Sequence, residues 1–118
     1  MTALQLEVLP DADAVAERAA AFVAERAGAA VADHGRFTFA VSGGHTPWAM
    51  FAELADQDVP WEATAIYQVD ERIAPAGDPD RNLTHLEASL AGWDDVAVHA
   101  MPVEEDDLEA AAAAYAES

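Results

Sequence analysis

The chain has 118 residues, of which 23 are Asp or Glu and only five are basic, so its formal net charge is −18. All five basic residues are Arg, which argues against a basic nucleic-acid interface and, without any Lys, excludes a Walker-type phosphate loop. The absence of Cys excludes disulfides and thiolate chemistry. The length is that of one ordinary domain.

Apolar residues make up 53% of the chain, but 30 residues are Ala, so the core available from larger side chains is thin. No apolar run approaches the roughly 18 residues of a membrane span. The N-terminus lacks the basic region and apolar segment of a secretory signal. We therefore expect a cytoplasmic protein that does not bind membranes.

The first two predicted elements are a strand and a long helix. Apolar residues alternate with polar ones over residues 4–9, which predicts a strand. Asp11 or Asp13 is expected to cap a helix that runs to about Asp33 and ends at Gly35.

A strand, a turn and a capped helix are predicted next. Residues 37–41 are apolar on both faces, which is typical of a central strand covered by helices. Thr46 is expected to be the N-cap and Pro47 the first residue of a helix reaching about Asp56. Residues 63–69 predict the third strand.

The last part of the chain predicts a loop, a helix, a strand and a final helix. Residues 71–81 contain two Pro and a Gly and predict a loop. Asn82 is expected to cap a short helix that Gly92 closes. Residues 96–101 predict a fourth strand, and residues 104–118 predict an Ala-rich helix.

This alternation of strands and helices predicts an α/β fold: a mostly parallel sheet with helices on both faces, of Rossmann-like type. Such sheets bind ligands at the carboxyl ends of their strands. Residues 42–44 follow the second strand and residues 70–72 follow the third, so both segments should reach the same rim.

The glycine-rich segment after the second strand has the residue types of an anion-binding loop. Two glycines allow close approach of a ligand to the backbone, and the N–H groups and dipole of the following helix favour a phosphate. His45 is near enough to touch such a ligand. A tight turn followed by a capped helix would use the same residues. The candidate phosphate donors are Ser42, Gly43, Gly44 and Thr46.

Asp70, Glu71 and Arg72 form a charged triplet directly after the third strand. A carboxylate there is able to orient an imidazole, accept a proton or hold a sugar hydroxyl, and Arg72 is suited to a phosphate or carboxylate. The alternative is a solvated loop with a local ion pair. Asn82, with Arg81 beside it, is expected to cap a helix.

No pattern for metal or organic cofactor binding is present. The four His residues lack a partner at metal-ligand spacing. No nucleophile elbow, zinc-protease motif or dinucleotide glycine pattern occurs. We expect no cofactor and no metal.

Three ordered stretches together resemble the 6-phosphogluconolactonase family, within the glucosamine-6-phosphate isomerase/6-phosphogluconolactonase superfamily. They are FTFAVSGGHTP at residues 37–47, QVDERIAP at 68–75 and DPDRN at 78–82. The resemblance implies a lactonase/deaminase-type fold and hydrolysis of 6-phospho-D-glucono-1,5-lactone to 6-phospho-D-gluconate in the pentose phosphate pathway. A small phosphosugar lactone is then the expected partner.

The resemblance also implies roles for individual residues. Arg72 would contact the anionic part of the substrate, and Asp70 would support the catalytic apparatus. The related deaminases carry Asp-Glu-Tyr where this chain has Asp-Glu-Arg, so Arg72 and the following Pro75 favour a lactonase. A glucosamine-6-phosphate deaminase and a non-catalytic sugar-phosphate-binding protein remain the alternatives. The residues implied to line the sugar-phosphate pocket are Ser42, Gly43, Gly44 and Thr46.

One motif of the family is missing. Family members carry Gly-x-Asp-Gly-His-Thr, whose His is the presumed general base, and this sequence contains no such motif. We therefore expect residues 1–118 to be the N-terminal portion of a single lactonase domain, with the base beyond Ser118.

Overall fold

The computed structural model describes residues 3–90 and 95–118, which form a parallel sheet with helices. In chain order the elements are α1 (Ala12–His34), β1 (Phe37–Val41), α2 (His45–Leu54), β2 (Thr64–Gln68), α3 (Asn82–Ser89), β3 (Ala97–His99) and α4 (Leu108–Ala116). A single 3₁₀ turn precedes β2. The strands pair in the order β1-β2-β3, both pairs parallel, which confirms the α/β prediction.

One face of the sheet carries the core. The register places Phe39 beside Ile66 and Ile66 beside Val98, so these side chains share a face. Helices α1, α2 and α3 pack on this face. The largest fully buried side chains of the core are Leu54 of α2 and Ile66 of β2. The core nearest the carboxyl ends of the strands consists of Val41, Phe51, Ile66, Leu86 and Leu90.

Helix α1 has the predicted ends. The Asp11 side chain accepts a hydrogen bond from the Ala14 N–H at 2.8 Å, so Asp11 is the N-cap. Gly35 ends the helix in the left-handed region, at φ 86°. Ala16, Ala20 and Ala27 are buried, and Ala20 and Ala27 share a core cluster with Leu54 of α2. Their small side chains allow the two helices to approach closely.

The strand predicted over residues 4–9 is wrong. This segment has no strand assignment, and the side chains of Leu4, Leu6 and Val8 are 94%, 81% and 85% exposed. It is tied instead to α1 by an ion pair between Glu7 and Arg18 at 3.0 Å. Alternation of apolar residues favours an extended chain, but a strand also needs a hydrogen-bonding neighbour, and this segment pairs with no strand among the described residues.

Within the described residues, the strand at 37–41 is not the central one: β2 is central and β1 lies at the edge. On the sheet face opposite the core, Thr38 and Ala40 are exposed, whereas Ala65 and Tyr67 of β2 are half-buried. Short apolar residues such as Ala40 tolerate an exposed face, so composition alone did not separate the two strands.

Helix α2 begins two residues earlier than predicted. Gly44 is its N-cap, at φ 125°, and His45 is its first residue, so Thr46 is not the cap and Pro47 is the third residue. A glycine adopts this positive φ without strain, which lets the chain turn into the helix without a capping side chain.

The ends of the later elements differ from their predicted bounds. Strand β3 is limited to Ala97–His99, and α4 begins at Leu108, with Asp107 as its N-cap. Gly92, the predicted end of the third helix, lies outside the described residues. No helix in the described ranges is both long and apolar enough to cross a membrane.

Candidate functional site

A cleft of about 300 Å³ lies where β1 and β2 end. The two strands are parallel, and the Val69 N–H donates to the Val41 carbonyl at 2.9 Å, so the loops that follow them meet at one rim. The predicted convergence of the two segments is therefore observed. The cleft is lined by Ser42, Gly43, Gly44, Trp48, Asp70, Arg72, Pro79, Asp80 and Asn82.

The glycine loop presents the N-terminus of α2 to this cleft. No side chain caps the helix, and the first bond back to the N-cap runs from the Trp48 N–H to the Gly44 carbonyl at 3.1 Å. The N–H groups of His45 and Thr46 precede this bond, so they have no acceptor within the helix. Together with the helix dipole, they favour an anion at this end.

Gly43 is needed because Asn82 lies against it. A Cβ at position 43 would be 2.3 Å from Asn82 Oδ1, far inside van der Waals contact. On the side away from Gly43, Asn82 Nδ2 lies 3.4 Å from the Asp70 carbonyl oxygen and 3.5 Å from Asp70 Oδ1. Asn82 thus fills the space between the glycine loop and Asp70.

The cleft contains two carboxylates and one cation. Asp70 and Asp80 are exposed, as is Arg72. Among the described residues no carboxylate lies within 4.0 Å of the Arg72 guanidinium, so this cation remains available to a ligand. An anion would have to bind through Arg72 and the backbone N–H groups, against two negative charges.

The prediction that Asn82 caps α3 is wrong, and the carboxylate of Glu71 takes that role. Asn82 is the first residue of the helix, and Arg81, at the N-cap position, makes no side-chain cap. Glu71 instead accepts hydrogen bonds from the backbone N–H groups of Asn82 at 2.6 Å and Leu83 at 3.0 Å. The cap therefore comes from eleven residues earlier in the chain.

The pKa of Glu71 is lowered from its ordinary value. Burial by itself raises this pKa, but hydrogen bonds from the Gln68 side chain and from the N–H groups of Arg72, Asn82 and Leu83 outweigh it. The carboxylate is thus held ionised at neutral pH.

Trp48 forms one wall of the cleft and is held by two His residues. The His85 ring stacks on Trp48 at a centroid distance of 4.0 Å, and His45 meets Trp48 edge-on at 5.3 Å. His85 Nε2 lies 2.7 Å from the Pro79 carbonyl oxygen, which ties the opposite wall to the same stack.

Five of the six predicted site residues line the cleft and one does not. Thr46 is exposed on the first turn of α2, outside the lining. Four lining residues, Trp48, Pro79, Asp80 and Asn82, were not predicted as site residues. A possible signal was the DPDRN stretch, which lies at the right distance after the charged triplet. Within the described ranges no group of three or more His or carboxylate side chains is placed to hold a metal ion.

A cleft at the carboxyl ends of parallel strands is typical of ligand-binding α/β proteins. The family model described as glucosamine-6-phosphate isomerases/6-phosphogluconolactonase matches residues 10–118. The chain therefore belongs to this family, which confirms the resemblance.

Individual relatives agree with the family match. A 6-phosphogluconolactonase from Nostoc sp. is 33% identical over 115 residues, which cover 93% of this chain and 47% of the relative. A 6-phosphogluconolactonase from Synechocystis sp. is 36% identical over 116 residues, covering 94% and 48%. A crystal structure of a 6-phosphogluconolactonase from Shewanella baltica has a TM-score of 0.85 at 24% identity, covering 92% and 48%. The chain thus spans about half the length of the curated relatives it matches.

Proposed function

We propose that the protein hydrolyses 6-phospho-D-glucono-1,5-lactone to 6-phospho-D-gluconate in the pentose phosphate pathway, in the cytoplasm. The observation that carries the proposal is the cleft itself, which Gly43 and Gly44, at the uncapped N-terminus of α2, line together with Arg72. The names of the relatives support the choice of substrate. Because the chain spans about half of them, we further propose that it forms the N-terminal portion of the lactonase domain.

In this reaction water adds to the lactone carbonyl, the ring C–O bond breaks, and the ring oxygen takes up a proton. The part of this chain is to hold the phosphate with Arg72 and the glycine loop, so that the carbonyl is fixed in orientation. Asp70 supports the catalytic apparatus from the rim. The base that activates water is proposed to come from residues outside this chain.

The test is the rate of acid release from the lactone, corrected for spontaneous hydrolysis, using the intact product of the native gene. Arg72→Ala should lower kcat/KM about 10- to 100-fold, because a hydrogen-bonded ion pair with the phosphate is lost. Arg36→Ala is the matched control: it changes the charge equally at an exposed residue just before β1, at the opposite end of that strand.

A wild-type rate equal to that of buffer would overturn the proposal, and so would equal rates for wild type and Arg72→Ala. Ammonia release from glucosamine 6-phosphate would replace it with a deaminase. Affinity for 6-phosphogluconate without turnover would indicate a non-catalytic sugar-phosphate-binding protein.

A further inference from the structure

Glu71 has an environment unlike that of any other carboxylate in the charged triplet or the cleft. Its side chain is 0% exposed, although it lies between two exposed residues, Asp70 and Arg72. One carboxylate oxygen accepts from the N–H groups of Arg72 at 2.8 Å and Asn82 at 2.6 Å. The other accepts from Gln68 Nε2 at 2.9 Å and from the Leu83 N–H at 3.0 Å. Four donors within 3.0 Å thus occupy its acceptor positions.

These donors come from three separate pieces of the rim. Gln68 is the last residue of β2, Arg72 lies in the loop that follows, and Asn82 and Leu83 begin α3. A carboxylate at the N-terminus of a helix is also favoured by the helix dipole. Glu71 therefore joins the end of the central strand to the start of α3.

A second set of contacts surrounds this junction. Arg81, whose side chain is only 5% exposed, lies 3.4 Å from Glu71 and also contacts Glu104. Gln68 accepts from the Met101 N–H at 2.8 Å through its side chain, and its carbonyl accepts from the Tyr115 hydroxyl at 2.6 Å. The junction is thereby fixed to the loop after β3 and to α4.

The two residues whose N–H groups share one Glu71 oxygen both line the cleft. Arg72 supplies its only cation, among the lining residues, and Asn82 separates Gly43 from Asp70. Displacing Glu71 would therefore shift the cation and the cleft wall together. Glu71 itself is shielded from the cleft and has no acceptor position left for a substrate proton.

We propose that Glu71 is a positioning residue that sets the place of Arg72 and Asn82 in the cleft, while the neighbouring Asp70 is left free to face the substrate. This inference rests on the proposed lactonase function for its kinetic consequences. It divides the triplet into one internal carboxylate, one exposed carboxylate and one exposed cation.

Glu71→Gln tests the division because it keeps the size of the side chain and removes the charge. Whichever way the amide is turned, its NH₂ group faces N–H donors, so at least one pair of contacts is lost. We expect KM to rise about tenfold, because a displaced Arg72 would lose about one hydrogen bond to the phosphate. A smaller folded fraction alone would lower kcat and leave KM unchanged. Glu71→Asp keeps the charge but has a shorter side chain, so its KM should lie between those of wild type and Glu71→Gln.

The apparent pKa values of the pH–rate profile should be the same in wild type and Glu71→Gln, because Glu71 exchanges no proton with the substrate. Loss of one limb of that profile, or an unchanged KM, would overturn the proposal. The matched control is Glu105→Gln, an equal charge change at an exposed residue outside the cleft, which should leave KM unchanged.

A second readout does not depend on activity. Amide hydrogen exchange at Asn82 and Leu83 should accelerate about three- to tenfold in Glu71→Gln, since their acceptor is weakened. If the wild type lacks lactonase activity but exchange accelerates as expected, the proposed function fails and the positioning role stands. Unchanged exchange at both amides would overturn the positioning role itself.

Discussion

The two loops at the carboxyl rim are built in opposite ways. The loop after β2, residues 69–72, is anchored by the buried Glu71, whose carboxylate accepts four hydrogen bonds within 3.0 Å. The loop after β1, residues 42–44, has no side-chain hydrogen bond to the rest of the described chain, and the helix it opens has no capping side chain. The first loop is anchored by one internally paired carboxylate, whereas the second loop has no such anchor and leaves its polar groups open.

The loop after β2, the framed loop, holds the geometry of the rim through its buried carboxylate. The loop after β1, the open loop, leaves backbone donors for a ligand. Polar groups that are already paired hold geometry but offer nothing to a ligand, whereas unpaired N–H groups next to an accessible cleft gain most when an anion arrives. The loops meet at one contact, where Asn82 from the framed side lies against Gly43 of the open side. Three changes probe this arrangement, in order of decreasing expected effect.

Gly43→Ala breaks the contact between the loops and should have the largest effect. Its Cβ would lie 2.3 Å from Asn82 Oδ1. Overpacking of this kind lowers the free energy of unfolding by about 1–3 kcal/mol. Urea denaturation of the wild type and the variant measures this loss. Gly28→Ala is the matched control: no atom lies within 4 Å of its new Cβ, and in α1 alanine should stabilise by about 0.5–1 kcal/mol.

Adding Asn82→Ala to Gly43→Ala should recover part of this loss, because the clash disappears with the amide. A Gly43→Ala protein as stable as Gly28→Ala would show that the two loops are not in contact.

The sequence predicts the sheet well where local pattern decides. Strands β1 and β2 are short apolar runs bounded by turns, and α1 carries its own cap, Asp11, and its own stop, Gly35. The segment at residues 4–9 fails because a strand depends on a neighbour that local alternation does not reveal.

The site divides in the same way. That the charged triplet lies at the rim follows from its place after β2, and the structure agrees. That Glu71 turns inward while Asp70 stays exposed depends on N–H groups eleven and twelve residues away, which no local pattern encodes. For the same reason the sequence suggested Asn82 as the cap of α3, although the cap is supplied from the preceding loop.

Acid should weaken the framed loop selectively. Because the pKa of Glu71 in the folded protein lies below its ordinary value of 4.5, the ionised carboxylate stabilises the fold fully above pH 4.5. That contribution is lost as the pH falls through the lowered pKa. The difference in unfolding free energy between wild type and Glu71→Gln should therefore be constant near neutral pH and shrink below pH 4.5.

The comparison with Glu71→Gln removes the background from the other carboxylates, which titrate in both proteins. A Glu71→Gln difference that stays constant or grows on acidification would contradict the lowered pKa.

Ser42→Ala addresses the open loop and should have the smallest effect on stability. Ser42 is exposed and donates no hydrogen bond to the described residues, so the free energy of unfolding should change by less than about 0.5 kcal/mol. Affinity for 6-phosphogluconate, measured by calorimetry, should nevertheless fall about three- to tenfold if the hydroxyl binds the ligand. Ser89→Ala, the same change at a serine outside the cleft lining, should leave the affinity unchanged. If Ser42→Ala costs stability but not affinity, the loop after β1 is a second part of the frame and the contrast between the two loops fails.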